Sequence, residues 1–249
     1  MIYNANPEDG FQIDARDTMY PSTLTVRKTD GEHGSAEGTV YGYVVGGKLE
    51  VKHKDTVCQL GEGGFFAVPG GVQWKFLGED SHAQLVLIER FGYKCMPTFG
   101  TREKRGRLAY IDGCSDSILV HPARAGDSVL NHLHFPGGIL QTQHTHPSIR
   151  LGIVADGKGH AWQQTLAFSH GWRKKLVKGG VFMLEESELH SFMTEKDHMD
   201  VIAYHPDSED GATDDKHPML SRTYIDHGGG RASSIRDIQE VLDKDHKEE

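Results

Sequence analysis

The chain has 249 residues, 37% hydrophobic and 25% charged, with 30 glycines and 9 prolines, which is enough apolar mass to build a core in a turn-rich globular protein. A formal net charge of −9 repels phosphate backbones at long range, and no run approaches the roughly 18 apolar residues of a membrane span, so neither nucleic acid nor membrane is an expected partner. Cys58, Cys95 and Cys114 are too widely spaced for a CxxC pair or a disulfide scaffold and read as reduced thiols, which points to a cytoplasmic protein; the opening MIYNANPEDGF is not expected to be a signal peptide.

Short strand-like pieces begin at Leu24-Thr25-Val26. Val40 to Val45 runs into Gly46-Gly47 and returns as Leu49-Glu50-Val51, which reads as a hairpin on a glycine turn. Phe65 to Val68, Val72 to Leu77 and Ala83 to Ile88 complete a first set of strands, with Phe65, Phe66 and Trp74 expected to fill its interior. Residues 91–108 are basic and glycine-bearing and read as a linker. A second set of strands follows, with Leu108 to Ile111, Ser117 to Val120, Val129 to Phe135, a run from Gln141, a return near His160, Val181 to Leu184 and Met199 to Tyr204. Asp207 to Asp215 is an acidic stretch without calcium-loop spacing, expected as solvated surface. Gly228-Gly229-Gly230 precedes a short predicted helix, with Ser234 and Asp237 spaced as a capping box and an apolar stripe at Ile235, Ile238, Val241 and Leu242.

The second set carries the chemistry. His144 and His146 lie two apart in an alternating run, so a strand points both imidazoles to one side. Asp156-Gly157 suits a type I′ hairpin, and His190 follows the strand-like Val181 to Leu184. Three converging neutral imidazoles would make a first-row metal site with open positions for water or substrate. His132 and His134 form a second HxH, of which His134 is the candidate pocket-lining proton shuttle. His160 and His205, near strand ends, are expected at the surface or rim, and Gln141 and Gln143 are expected to face away from the histidines. A weak internal repeat aligns Gly42–Lys48 with Gly152–Lys158, Gly63 with Gly179 and Trp74 with His190.

Gly138, five residues, His144, one residue, His146, three residues, Arg150, six residues and Gly157 reproduce the spacing of the first motif of the cupin superfamily, which the second half resembles. Gly179 and His190 fit the second motif, with Glu185, Ser187 and Thr194 where proline, glycine and asparagine are usual. In the first half Gly63, Pro69 and Gly71 fit the second motif, but Trp74 replaces its histidine, and Gly34 and Ala36 stand at the first-motif histidine positions. The resemblance implies an all-β bicupin of two tandem double-stranded β-helix, jelly-roll-like barrels. Residues 1–105 would form a degenerate barrel with linker, 106–226 a metal-binding barrel and 227–249 a hinge and helical tail.

It further implies a divalent metal on His144, His146 and His190, Fe(II) first among the candidates and Zn, Mn or Ni the others, and a homodimer. Arg150 stands where cupins commonly place a glutamate ligand; an arginine offers no lone pair. Its parity still points it inward, where it would clamp the carboxylate of a small anionic substrate or pair with a carboxylate such as Glu185 or Glu186. The resemblance to three-histidine iron cupins suggests a dioxygenase. A redox-neutral lyase or isomerase and a non-catalytic small-molecule binding protein are the alternatives.

Overall fold

The computed structural model describes residues 1–124, 126–163 and 172–207, with the backbone of 224–226. Its regular secondary structure is almost all strand, and the described residues include one 3-10 turn at Ile111–Gly113. No helix among them is long and apolar enough to cross a membrane. The acidic stretch beyond Asp207 and the predicted C-terminal helix lie outside the described residues.

Two large sheets repeat one strand order. In the first half it runs Thr98–Thr101, Gly64–Pro69, Thr39–Gly46, Gln84–Arg90, Ser22–Arg27, Gln12–Ala15. The second half matches it with Ile2–Asn4, Val181–Leu184, Arg150–Gln163, Met199–His205, Val129–Phe135, Ser115–Val120, extended by Leu108–Ala109. The stretch read as a linker therefore contributes an edge strand to the first sheet. Residues 2–4 cross over to edge the second, in register with Val181–Met183. Sequence order and sheet membership part company at the start of the first half.

Side-chain alternation explains how three cores arise. On Thr39–Gly46, Val40 and Val44 enter a core with Leu49, Phe66, Val68, Trp74 and Leu87, while Tyr41, Tyr43 and Val45 enter another. On Arg150–Gln163, Leu151, Ile153 and Ala155 face that same second core, and Val154 faces a third with Phe182, Phe192, Val201 and Ala203. The shared core is the contact between the two large sheets, where Tyr41 and Tyr204 pack at 5.2 Å between ring centroids. Strands covered on both faces read as unbroken apolar runs. Phe65 consequently points into the shared core, whereas Phe66 and Trp74 fill the interior of the first half.

Neither predicted hairpin forms. Thr39–Gly46 and Leu49–His53 belong to different sheets, the second one four-stranded in the order Gly31–His33, Val72–Phe76, Leu49–His53, Thr56–Leu60. In the second half the chain does not turn at Asp156-Gly157 at all: Arg150–Gln163 is a single strand that pairs with Met199–His205 first and with Trp172–Val177 and Ser191–Met193 further on. The register slips between Val154 and Asp156, and Gly157 takes φ 68°. A bulge with a left-handed glycine uses the same residues as a hairpin turn but bends the strand from one sheet to the next. The three cysteines are free; burial pushes the Cys95 thiol up to about 11 and Cys114 up to about 12.

Candidate metal centre

His144 lies on the short strand Gln143–Thr145, His146 one residue beyond it, and His190 immediately before Ser191–Met193. The backbones of His144 and His190 form an antiparallel pair, His144 N donating to His190 O at 2.9 Å and His190 N to His144 O at 3.0 Å. Directly opposed residues project to the same side. Ser187 N donates to His146 O at 2.8 Å, tying the turn before His190 to the third imidazole. The ring centroids stand 4.6 Å (His144–His190), 5.0 Å (His146–His190) and 5.1 Å (His144–His146) apart. One ligand atom from each lies within 4.8 Å of the others, and all three residues are buried.

Hydrogen bonding selects the tautomers. His144 Nδ1 lies 2.8 Å from Thr142 O, and His190 Nδ1 lies 2.8 Å from Glu188 O. A carbonyl only accepts, so each Nδ1 carries the proton and each Nε2 keeps its lone pair. His190 Nε2 and His146 Nδ1 are buried with no hydrogen-bond partner among the described residues. Burial first, then the nearby Arg150 guanidinium and neighbouring imidazoles, holds His146 well below the usual imidazole range; burial, with His144 beside it, does the same for His190. His146 and His190 are thus held neutral, each with a buried nitrogen that lacks a hydrogen-bond partner among the described residues. The set suits a first-row divalent ion, which would satisfy those nitrogens, and carbonyl-anchored Nδ1 groups are the usual outer support of such ligands.

Arg150 is 2% exposed and shares strand parity with Val154, so it faces the same interior as the histidines. Its Nη1 donates to Ser148 Oγ at 2.5 Å and to Ile149 O at 3.0 Å. Among the described residues, Asp207 brings a carboxylate to 3.8 Å from it and is itself held by Ser148 Oγ at 2.7 Å. Glu185 and Glu186, the acids expected as its structural partners, are exposed. Asp207 thus departs from the solvated surface its acidic surroundings suggested.

His134 is not brought to the three imidazoles. Leu133 and Phe135 face their interior core, so the alternating His132 and His134 point the other way, with Leu130, toward the contact between the sheets. Both bond Asp200 Oδ1, His134 Nδ1 at 2.7 Å and His132 Nε2 at 3.1 Å. Asp156, His198 and Asp200 also bring ligand atoms within 4.8 Å of one another, but Arg102 lies 3.3 Å from Asp200 and 3.7 Å from Asp156. A guanidinium already supplies the cation there.

His205 is the site residue that sequence reasoning missed. It was placed at the rim because it ends a strand, yet it is 3% exposed and its ring stands 6.3 Å from that of His146. Parity carried the signal: Met199, Val201 and Ala203 on the same strand all face the interior core. Gln141 and Gln143, expected to face away, are buried as well, Gln141 Oε1 lying 3.4 Å from Phe192 N.

No family model matches the chain, and no curated protein matches it. Solved structures do. Ylba from E. coli, described as DUF861, shares 16% identity at a TM-score of 0.58, over 82% of this chain and 87% of that one. The cupin 2 conserved barrel domain protein from Leptotrichia buccalis shares 15% at 0.55, over 80% and 91%. Bacillus subtilis oxalate decarboxylase, described with Mn(II) centres, shares 10% at 0.54, over 83% and 75%. The fold is that of the cupins. At these identities the likeness reaches the fold and no further.

Proposed function

We propose that this chain is a bicupin whose second barrel binds a divalent metal through His144, His146 and His190 and acts as an enzyme on a small carboxylate-bearing molecule. The observation that carries the reading is the set of three buried imidazoles with ligand atoms within 4.8 Å of one another, two of them with Nδ1 bonded to a carbonyl. A bound divalent ion would supply Lewis acidity and, if it is iron, electrons for O₂ chemistry. Arg150 neutralises and orients an anionic group beside the metal, its planar fork matching a carboxylate, with Ser148 and Asp207 holding it in place until substrate arrives. One wall is apolar, with Phe192 edge-on to His190 at 5.7 Å.

Three imidazoles without a carboxylate ligand favour an Fe(II) dioxygenase. A redox-neutral lyase is the second reading, favoured by a fold shared with a manganese oxalate decarboxylase. Metal analysis of the purified protein beside a His190→Ala variant tests the centre. Near-stoichiometric metal lost in the variant is expected, and metal retained by the variant would refute the ligand set. Anaerobic Fe(II) loading followed by O₂ uptake on a panel of small carboxylates favours the dioxygenase. Turnover with Mn(II) and no O₂ uptake favours the lyase.

A further inference from the structure

His205 and Arg150 are neighbours on one wall. Leu151 pairs with Tyr204 across two antiparallel strands, so one residue further along Arg150 stands opposite His205, and both have interior parity. The His205 ring is 6.3 Å from His146, against 4.6–5.1 Å within the histidine triad, which places it one contact further out than the ligand set. The first half supplies a second observation. The residue at the equivalent place is Glu89, opposite Val40, and it reaches inward to the loop that corresponds to the His144–His146 segment: its carboxylate accepts Ser35 N at 2.7 Å and lies 3.2 Å from His33 Nε2. This strand position therefore reaches the ligand-bearing loop in both halves, with a carboxylate in one and an imidazole in the other.

We propose that His205 is a specificity-determining residue of the metal centre, donating a hydrogen bond to the anionic group that Arg150 neutralises beside the metal. The inference rests on the metal-centre reading above. An imidazole at this place extends the recognition wall from one cation to a cation plus an oriented donor, which selects a small anion with two acceptor atoms over a neutral ligand.

Co(II) titration followed by azide titration, read by visible absorption, tests this with the full chain, with His205→Ala and with His205→Gln, which retains a donor. In His205→Ala, Co(II) affinity should stay within about threefold of the parent while azide affinity falls about tenfold, the equivalent of one hydrogen bond of about 1.4 kcal/mol. His205→Gln should recover part of that loss. Unchanged azide affinity in His205→Ala would overturn the proposal, and so would a parallel loss of Co(II) affinity, which would make His205 a metal ligand instead. Failure of the parent protein to bind Co(II) would overturn the metal-centre reading itself, a result distinct from either.

Discussion

Gly152 is where the fold and the site are most tightly coupled. A Cβ placed on it would stand 2.0, 2.4 and 2.5 Å from three ring atoms of Phe182, its cross-strand partner, where ordinary contacts begin near 3.4 Å. Gly152→Ala therefore forces Phe182 to move by more than an ångström. That ring is 1% exposed and packs on Phe192 at 5.8 Å, and Phe192 in turn packs on His190 at 5.7 Å, so its displacement is passed on to His190. Overpacking of a dense core costs about 1–3 kcal/mol. In a chain of this size each kcal/mol lowers the melting temperature by roughly 2–4 °C, so Gly152→Ala should melt several degrees early. Differential scanning calorimetry measures that, and Co(II) titration should show weakened binding in the same variant. The internal control is Gly42→Ala, whose Cβ would meet Phe66 at 2.1 and 2.2 Å in the first half: a similar thermal loss is expected with Co(II) affinity unchanged. Adding Phe182→Leu to Gly152→Ala should recover stability beyond additivity. A Gly152→Ala protein that melts within about 1 °C of the parent would refute the reasoning.

Ser187 adopts φ 58° in the turn before His190, a left-handed conformation that costs a non-glycine residue roughly 1–2 kcal/mol. Ser187→Gly should raise the urea midpoint accordingly, and an unchanged or lower midpoint would count against strain at this turn. Asp200 is 2% exposed, and burial works against its charge; the hydrogen bonds from His132 and His134 and the Arg102 charge outweigh that and hold its carboxyl below the usual range. A carboxyl depressed in the folded state contributes stability that is complete above the unfolded pKa of about 3.9 and is lost as pH falls through the folded value. Asp200→Asn should lose roughly 1.5–3 kcal/mol at neutral pH and show a flatter acid limb in urea melts between neutral and strongly acidic pH. An equally steep limb in the variant would place the linkage elsewhere.

Much of the site was legible because its signals are local. The spacing of His144 and His146 marked the segment and His190 came from a second spacing, whereas Arg150 owes its inward direction to parity on its own strand, Arg150–Gln163. What escaped depends on pairing between distant segments. Asp156-Gly157 has the composition of a hairpin turn, and only the continued pairing of Arg150–Gln163 with Met199–His205 reveals a bulge in a continuous strand. Residues 2–4 carry no mark of their partnership with Val181–Met183, and Asp207 becomes the neighbour of Arg150 only once Met199–His205 is in place. His205 was a failure of a different kind. Its parity with Met199, Val201 and Ala203 was readable, but proximity to a strand end was given more weight than alternation.

The repeat shows what the second half gives up. At matching places the first half carries Gly34, Ala36, Val40, Trp74 and Glu89, and the second carries His144, His146, Arg150, His190 and His205. Trp74 is buried with its indole N–H donating to Thr29 O at 2.8 Å, and it packs with Val51, Phe66 and Leu87 in an apolar interior. The second half instead buries four imidazoles and a guanidinium at one end of its core, and burying polar groups is unfavourable unless something satisfies them. His190 Nε2 and His146 Nδ1 have no hydrogen-bond partner among the described residues. The first half builds the same strand order with Gly34, Ala36, Val40 and Trp74 at four of these places, so the strand order itself does not demand the histidines or the arginine. On the metal-centre reading proposed above, a divalent ion would offset the burial of those two nitrogens.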